Sequence, residues 1–183
     1  MKKTQKANRP VQLRIPTFTP AQVKALLAVA VGEMKTLILL GATTGQRLGD
    51  LLALKWEDVD MAGGIICFRV AKARQRLRVP MMAQLQAHLE ALPKAGPDTP
   101  VLPGLGSRPV VSREFSRLAA KVGIEGAHFH SLRMTFIHQL RDAGVPQGVA
   151  MEIMGHQGAD SWKQPQSPTE ALRAILNRLP PPA

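Results

Sequence analysis

A helical rhythm of apolar residues, broken once by a strand-like run, is the feature that most constrains this chain. Val23, Leu26, Leu27 and Val31 fall on one helical face. Leu48, Leu51, Leu52 and Leu54 do the same in a short helix from about Arg47 to Lys55. An apolar segment between them, Leu37 to Ala42, ends near Gly45. Ile65-Ile66-Cys67-Phe68-Arg69-Val70 then reads as a buried strand, with Leu77 to Pro80 as its return strand. That pairing puts Lys72 to Arg76 on or near a hairpin. The expected fold is α+β, mainly helical, with a small antiparallel β-sheet.

Local signals place the remaining boundaries. Thr19-Pro20-Ala21-Gln22 joins a capping box to a proline at the first helical position. Trp56 to Asp60 and Gly63-Gly64 read as turn material before the strand. A helix is expected from about Met82 to Leu92, and the proline- and glycine-rich stretch from Pro93 to Pro109 as a long loop. Ser112 can cap a helix running to about Val122. His130 opens another that ends at Gly144, a residue suited to a position just past a helix end. Pro146 begins a short helix ending at Gly155. Ser167-Pro168-Thr169-Glu170 is a capping box leading into Ala171 to Leu176, and Pro180-Pro181-Pro182 stops it. Residues 1–16, polar and basic with Pro10 and Pro16, read as a flexible arm ahead of one domain over residues 17–183.

Composition narrows the partner. At 183 residues and 45% apolar content, the chain can fill one sizeable core. Twenty-four Lys and Arg against 13 Asp and Glu give a net charge of +11, the signature of a polyanionic partner. A membrane surface is disfavoured, because no stretch reads as a basic amphipathic anchor. The longest apolar run, Thr36 to Ala42, is too short to span a bilayer. Lys2, Lys3 and Lys6 lead into Asn8, Arg9 and Pro10 rather than the apolar core of a signal peptide. The single Cys67 excludes an internal disulfide and fits a reducing, cytoplasmic compartment. Aromatic content of 4% gives little for single-stranded bases to stack on, so duplex DNA held by its backbone fits better.

Two arginines and two histidines then stand out: Arg47 in Thr44-Gly45-Gln46-Arg47-Leu48-Gly49-Asp50, His130 and Arg133 in His130-Ser131-Leu132-Arg133, and His156 after Met154-Gly155. They form a phosphate-gripping set if the fold gathers them. A guanidinium is planar and permanently charged, and it matches non-bridging phosphate oxygens with paired hydrogen bonds. His130 and Arg133, three residues apart on a helix, share a face. His128 and His130 could suggest a metal pair, but no cysteine or acidic cluster completes one. His88 and His138 read as ordinary helix residues.

From about Phe18 to Leu179 the chain resembles the tyrosine recombinase (phage integrase) family. The resemblance is carried by Thr44 to Asp60, by His130 to Phe136, and by Met154-Gly155-His156, in that order. It implies a catalytic domain for site-specific DNA recombination or integration. Arg47 and Arg133 would clamp the scissile phosphate, stabilising charge that develops in the transition state. His130 would hydrogen-bond that phosphate and assist proton transfer from the nucleophile, and His156 would donate a further bond. Lys72, directly after the apolar strand, matches the family's hairpin lysine, the proton donor to the leaving 5′-oxygen. Arg74, Arg76 and Arg78 alternate with other residues, so extended backbone puts them on one face as a DNA-backbone stripe. Asp50 looks like a supporting carboxylate. The implied partner is duplex DNA, with a homo-oligomer on that DNA allowed, no membrane, no metal and no cofactor.

The pattern breaks at the nucleophile. The chain contains no tyrosine, whereas the family places its attacking tyrosine shortly after the last histidine. That position falls near Pro165 counting from His156, and near Trp162 or Lys163 counting back from the closing helix. Ser161, Ser167 and Thr169 carry hydroxyls, but an aliphatic hydroxyl is far less acidic than a phenol. Copies of the same chain have no tyrosine to lend one another. The family's N-terminal DNA-clamping domain is also not matched, which suggests an excised or a reduced protein. Strand cleavage is therefore doubtful, and a non-catalytic DNA-binding regulator is the alternative. A protein-interaction module with a solubilising basic face is a third.

Overall fold

The computed structural model describes residues 15–69, 76–94, 96–155 and 169–182. The expected arm over residues 1–16 lies almost wholly outside them. Helix α1 (Pro20–Val29) starts with the anticipated box: Thr19 Oγ1 accepts from Gln22 N at 3.2 Å, and Gln22 Oε1 accepts from Thr19 N at 2.8 Å. The apolar segment expected over Leu37 to Ala42 is the middle of a longer helix, α2 (Gly32–Thr44). Nearly every residue of α2 after its first turn is buried, from Met34 through Thr44, which marks it as the central helix of the core. Its polar Thr43 and Thr44 are satisfied internally, donating to Leu39 O and Leu40 O.

Helix α3 (Leu48–Leu52) is shorter than the expected Arg47 to Lys55, and a 3-10 turn follows at Trp56–Asp58. Strands β1 (Val59–Asp60), β2 (Ile65–Arg69) and β3 (Arg76–Pro80) form an antiparallel sheet in the order β1-β2-β3. The sequence places Val59–Asp60 in turn material. It is a strand because Val59 pairs with Ile66 and Asp60 with Ile65, and a two-residue element has no periodicity to detect. In the β2–β3 ladder Ile66 faces Val79 and Phe68 faces Leu77, while Cys67 faces Arg78 and Arg69 faces Arg76.

Helices α4 (Ala83–Glu90), α5 (Arg108–Lys121), α6 (His130–Asp142), α7 (Gln147–Ile153) and α8 (Thr169–Leu176) complete the chain. α5 begins four residues before the expected Ser112 cap. Ser107 takes the N-cap position and Pro109 falls in the first turn, where its fixed φ suits a helix and its missing N–H costs nothing. The capping box expected from Ser167 has only Thr169 and Glu170 among the described residues.

Among the described residues two apolar clusters result. The larger gathers α1 to α5, the sheet and the start of α6 around α2. The smaller joins Met82, Phe136, Leu140, Ile153, Met154, Leu172, Leu176 and Leu179, binding α7 and α8 to the far half of α6. Gly41 lets α6 approach α2 closely, since a β-carbon there would meet Phe129 Cζ at 2.7 Å. Among the described residues no helix is long and apolar enough to cross a membrane.

Candidate functional site

The site is built where α2 ends. Gly45 caps α2 in the left-handed region at φ 63°, which turns the chain through Gln46 and Arg47 into α3. Arg47 occupies the N-cap position of α3 and is exposed. His130, the first residue of α6, is exposed too. Arg133, one turn later, is 2% exposed.

Arg133 stitches the three motif segments together. Its Nη1 donates to Gly45 O at 2.7 Å and its Nη2 to Met154 O at 3.0 Å. A second tie spans the same gap: Gln46 Nε2 donates to Thr44 O and to Ile153 O, each at 3.0 Å. The end of α7, which leads through Gly155 to His156, is thus fastened to the Arg47 turn. His156 itself lies outside the described residues.

Charge makes the gathering visible. Burial pushes the Arg133 pKa down to about 10, Arg47 pushes the same way, and Asp50 opposes them. His130 is exposed overall, yet the side of its imidazole set against the protein loses solvent, and this lowers its pKa first, followed by Arg133, His128 and Arg47. Arg47 thus lies near enough to act on both Arg133 and His130, two arginine charges crowd together beside the imidazole, and Asp50 is close enough to act on Arg133. An anion placed among them would relieve that repulsion.

His128 stands beside this group. Its ring centroid is 6.3 Å from that of His130, and its Nδ1 lies 3.2 Å from Ser131 Oγ. Among the described residues no three His, Cys, Asp or Glu side chains gather as a metal site. His88 sits away from the group, 2.8 Å from Thr36 Oγ1.

The sheet contributes partly. Lys72 and Arg74 lie outside the described residues, and Arg76 is placed by its backbone alone, opposite Arg69. Arg78 is exposed. Arg69, which the sequence reading left unassigned, pairs with Glu57 and, at 3.4 Å, with Asp58. Asp58 and Glu57 hold its guanidinium more firmly protonated, so β2 ends in an anchored residue just before the Lys72 segment. Arg108, expected in a loop, packs its guanidinium over Gly49, where a β-carbon would sit 3.7 Å from its Nη1. A cavity of about 430 Å³ lies elsewhere, between Thr17, His138, Asp142 and Arg178, and is lined by none of the motif cations.

The three segments that Arg133 and Gln46 hold together fall within one family pattern. The phage integrase family model matches residues 16–163. This chain belongs to the phage integrase family. The tyrosine recombinase XerC of Xylella fastidiosa strain M23 is 29% identical over 153 residues, which are 79% of this chain and 48% of that protein. The chain thus spans about half the length of the curated relatives it matches. The solved integrase from mycobacterium phage Brujita superposes with a TM-score of 0.74 at 26% identity, covering 98% of this chain and 61% of that one. A lambda integrase dimer, solved bound to a COC′ core site, shares the fold with a TM-score of 0.64 at 20% identity, over 84% of this chain and 62% of that one. The mainly helical architecture with a small antiparallel sheet is that of these integrase-family structures.

Proposed function

We propose that this integrase-type domain binds duplex DNA by its phosphodiester backbone and does not cleave it. The observation that carries the reading is that Arg133 of α6 donates to Gly45 O at the Arg47 turn and to Met154 O at the end of α7, and that Arg47 is near enough to lower the pKa of both His130 and Arg133. In this reading Arg47 and Arg133 clamp one phosphate, and His130 and His156 donate hydrogen bonds to it. Asp50 supports Arg133. By the family pattern Lys72 would face the bridging 5′-oxygen of that phosphodiester, and Arg74, Arg76 and Arg78 would contact the neighbouring backbone. The +11 charge supports the same partner. Without a phenol, no 3′-phosphotyrosyl bond can form in this chain.

The absence of tyrosine also favours a second reading, in which the domain is a regulator that occupies the sites of an active recombinase. Incubation with a nicked suicide substrate, followed by a denaturing gel, tests cleavage. No covalent band is expected, whereas a duplex titration should show binding whose logarithm falls steeply with the logarithm of salt. A covalent adduct mapped to Ser161, Ser167 or Thr169 would establish a substitute nucleophile. Binding indifferent to salt would remove the backbone reading. Competition with an active recombinase on its own site distinguishes the regulator.

A further inference from the structure

Gln46 is a buried polar residue, 3% exposed, in a turn whose next residue, Arg47, is exposed. Its carboxamide nitrogen donates both of its hydrogens to main-chain carbonyls, Thr44 O at the end of α2 and Ile153 O at the end of α7. Arg133 reaches across the same junction from α6, to Gly45 O and Met154 O.

One bridging side chain would leave the Arg47 turn able to pivot about the line joining Gly45 and Met154. Two bridges, to adjacent residues on each side, remove that rotation. The residue type fits the place. A carboxylate would present acceptors to two carbonyls and draw on the Arg133 charge, and an ammonium would add a like charge beside Arg133. Only an uncharged double donor satisfies both carbonyls and leaves the cations available.

We propose that Gln46 is a positioning residue of the phosphate site, fixing the turn that carries Arg47 against the end of α7 at Ile153 and Met154. Its consequence for binding rests on the phosphate reading above. Its geometric consequence does not.

The test is a proton-NMR titration of the His130 imidazole, in the free full chain and with inorganic phosphate, for wild type, Gln46→Met and Gln46→Asn. Methionine matches the length without donors, and asparagine keeps the amide one methylene short of Ile153. In the free Gln46→Met protein the Arg47 turn should drift from α6, so the His130 pKa should rise slightly, Arg47 being the last of the four causes that lower it. Phosphate affinity should fall about tenfold, the order expected when a charged contact is lost. Gln46→Asn should show the same changes in weaker form, and it decides the matter if Gln46→Met does not fold. Folded variants with an unchanged His130 titration would overturn the inference. If wild-type His130 does not respond to phosphate at all, the phosphate reading fails. The free-protein titrations then still judge Gln46.

Discussion

Gly45 holds φ 63°, and a β-carbon on it would lie 2.5 Å from Phe136 Cδ1 and 2.9 Å from Met154 Sδ. Gly45→Ala therefore combines an unfavourable backbone region with overpacking, and should cost about 2–4 kcal/mol. A lower urea midpoint at unchanged slope checks it. His130 gives a different kind of prediction. Its imidazole is lowered by burial and by Arg133, His128 and Arg47, so the free protein holds it mainly neutral at neutral pH. A bound phosphate favours the protonated ring, so binding takes up a proton and affinity rises as pH falls. His130→Gln should flatten that dependence in a fluorescence titration. An identical slope in the variant would place the titrating group elsewhere.

Among the elements, α2 and α4 meet through a titratable contact. His88 lies 2.8 Å from Thr36 Oγ1, and its pKa is lowered by burial first and by Lys35 second. The folded state thus disfavours the imidazolium, and the unfolded chain binds the proton more readily. Stability is full above the unfolded imidazole value and is lost as pH falls through the folded one. Urea midpoints from about pH 7.5 to about pH 5 should decline, and His88→Gln should remove part of the decline. A steeper fall in the variant would contradict this. The elements also show where sequence signals are strong. Thr19 and Gln22 lie within one turn of each other, so their box was legible. The start of α5 was not, because Arg108-Pro109 reads equally well as loop and as first turn.

At the scale of the whole molecule the described residues form two apolar cores, and the candidate site lies at their seam. Met154 belongs to the smaller cluster with Leu172 and Leu176 of α8, yet its carbonyl receives Arg133. Leu176→Ala, at a fully buried position, should cost about 2–5 kcal/mol. It should also weaken duplex binding by loosening the α7 end. Calorimetric melting together with a duplex titration checks both, and destabilisation without any change in binding would uncouple the small core from the site.

The sequence alone determined α1, α4, α6 and α7 in outline, the β2–β3 pairing and the motif segments, because periodicity, caps and turn residues act over a few neighbouring positions. It also shows that this sequence contains no tyrosine. Only the tertiary structure decided which polar residues do which work. Gln46 and Arg47 are adjacent in one polar motif, and no local pattern tells the buried tie from the exposed cation. Their difference comes from Ile153, 107 positions away, whose carbonyl accepts from Gln46. The same holds for Arg133, whose partners Gly45 and Met154 lie 88 and 21 positions distant. A buried donor must find its acceptor wherever the chain returns, and that return is fixed by packing around α2 rather than by any neighbouring residue.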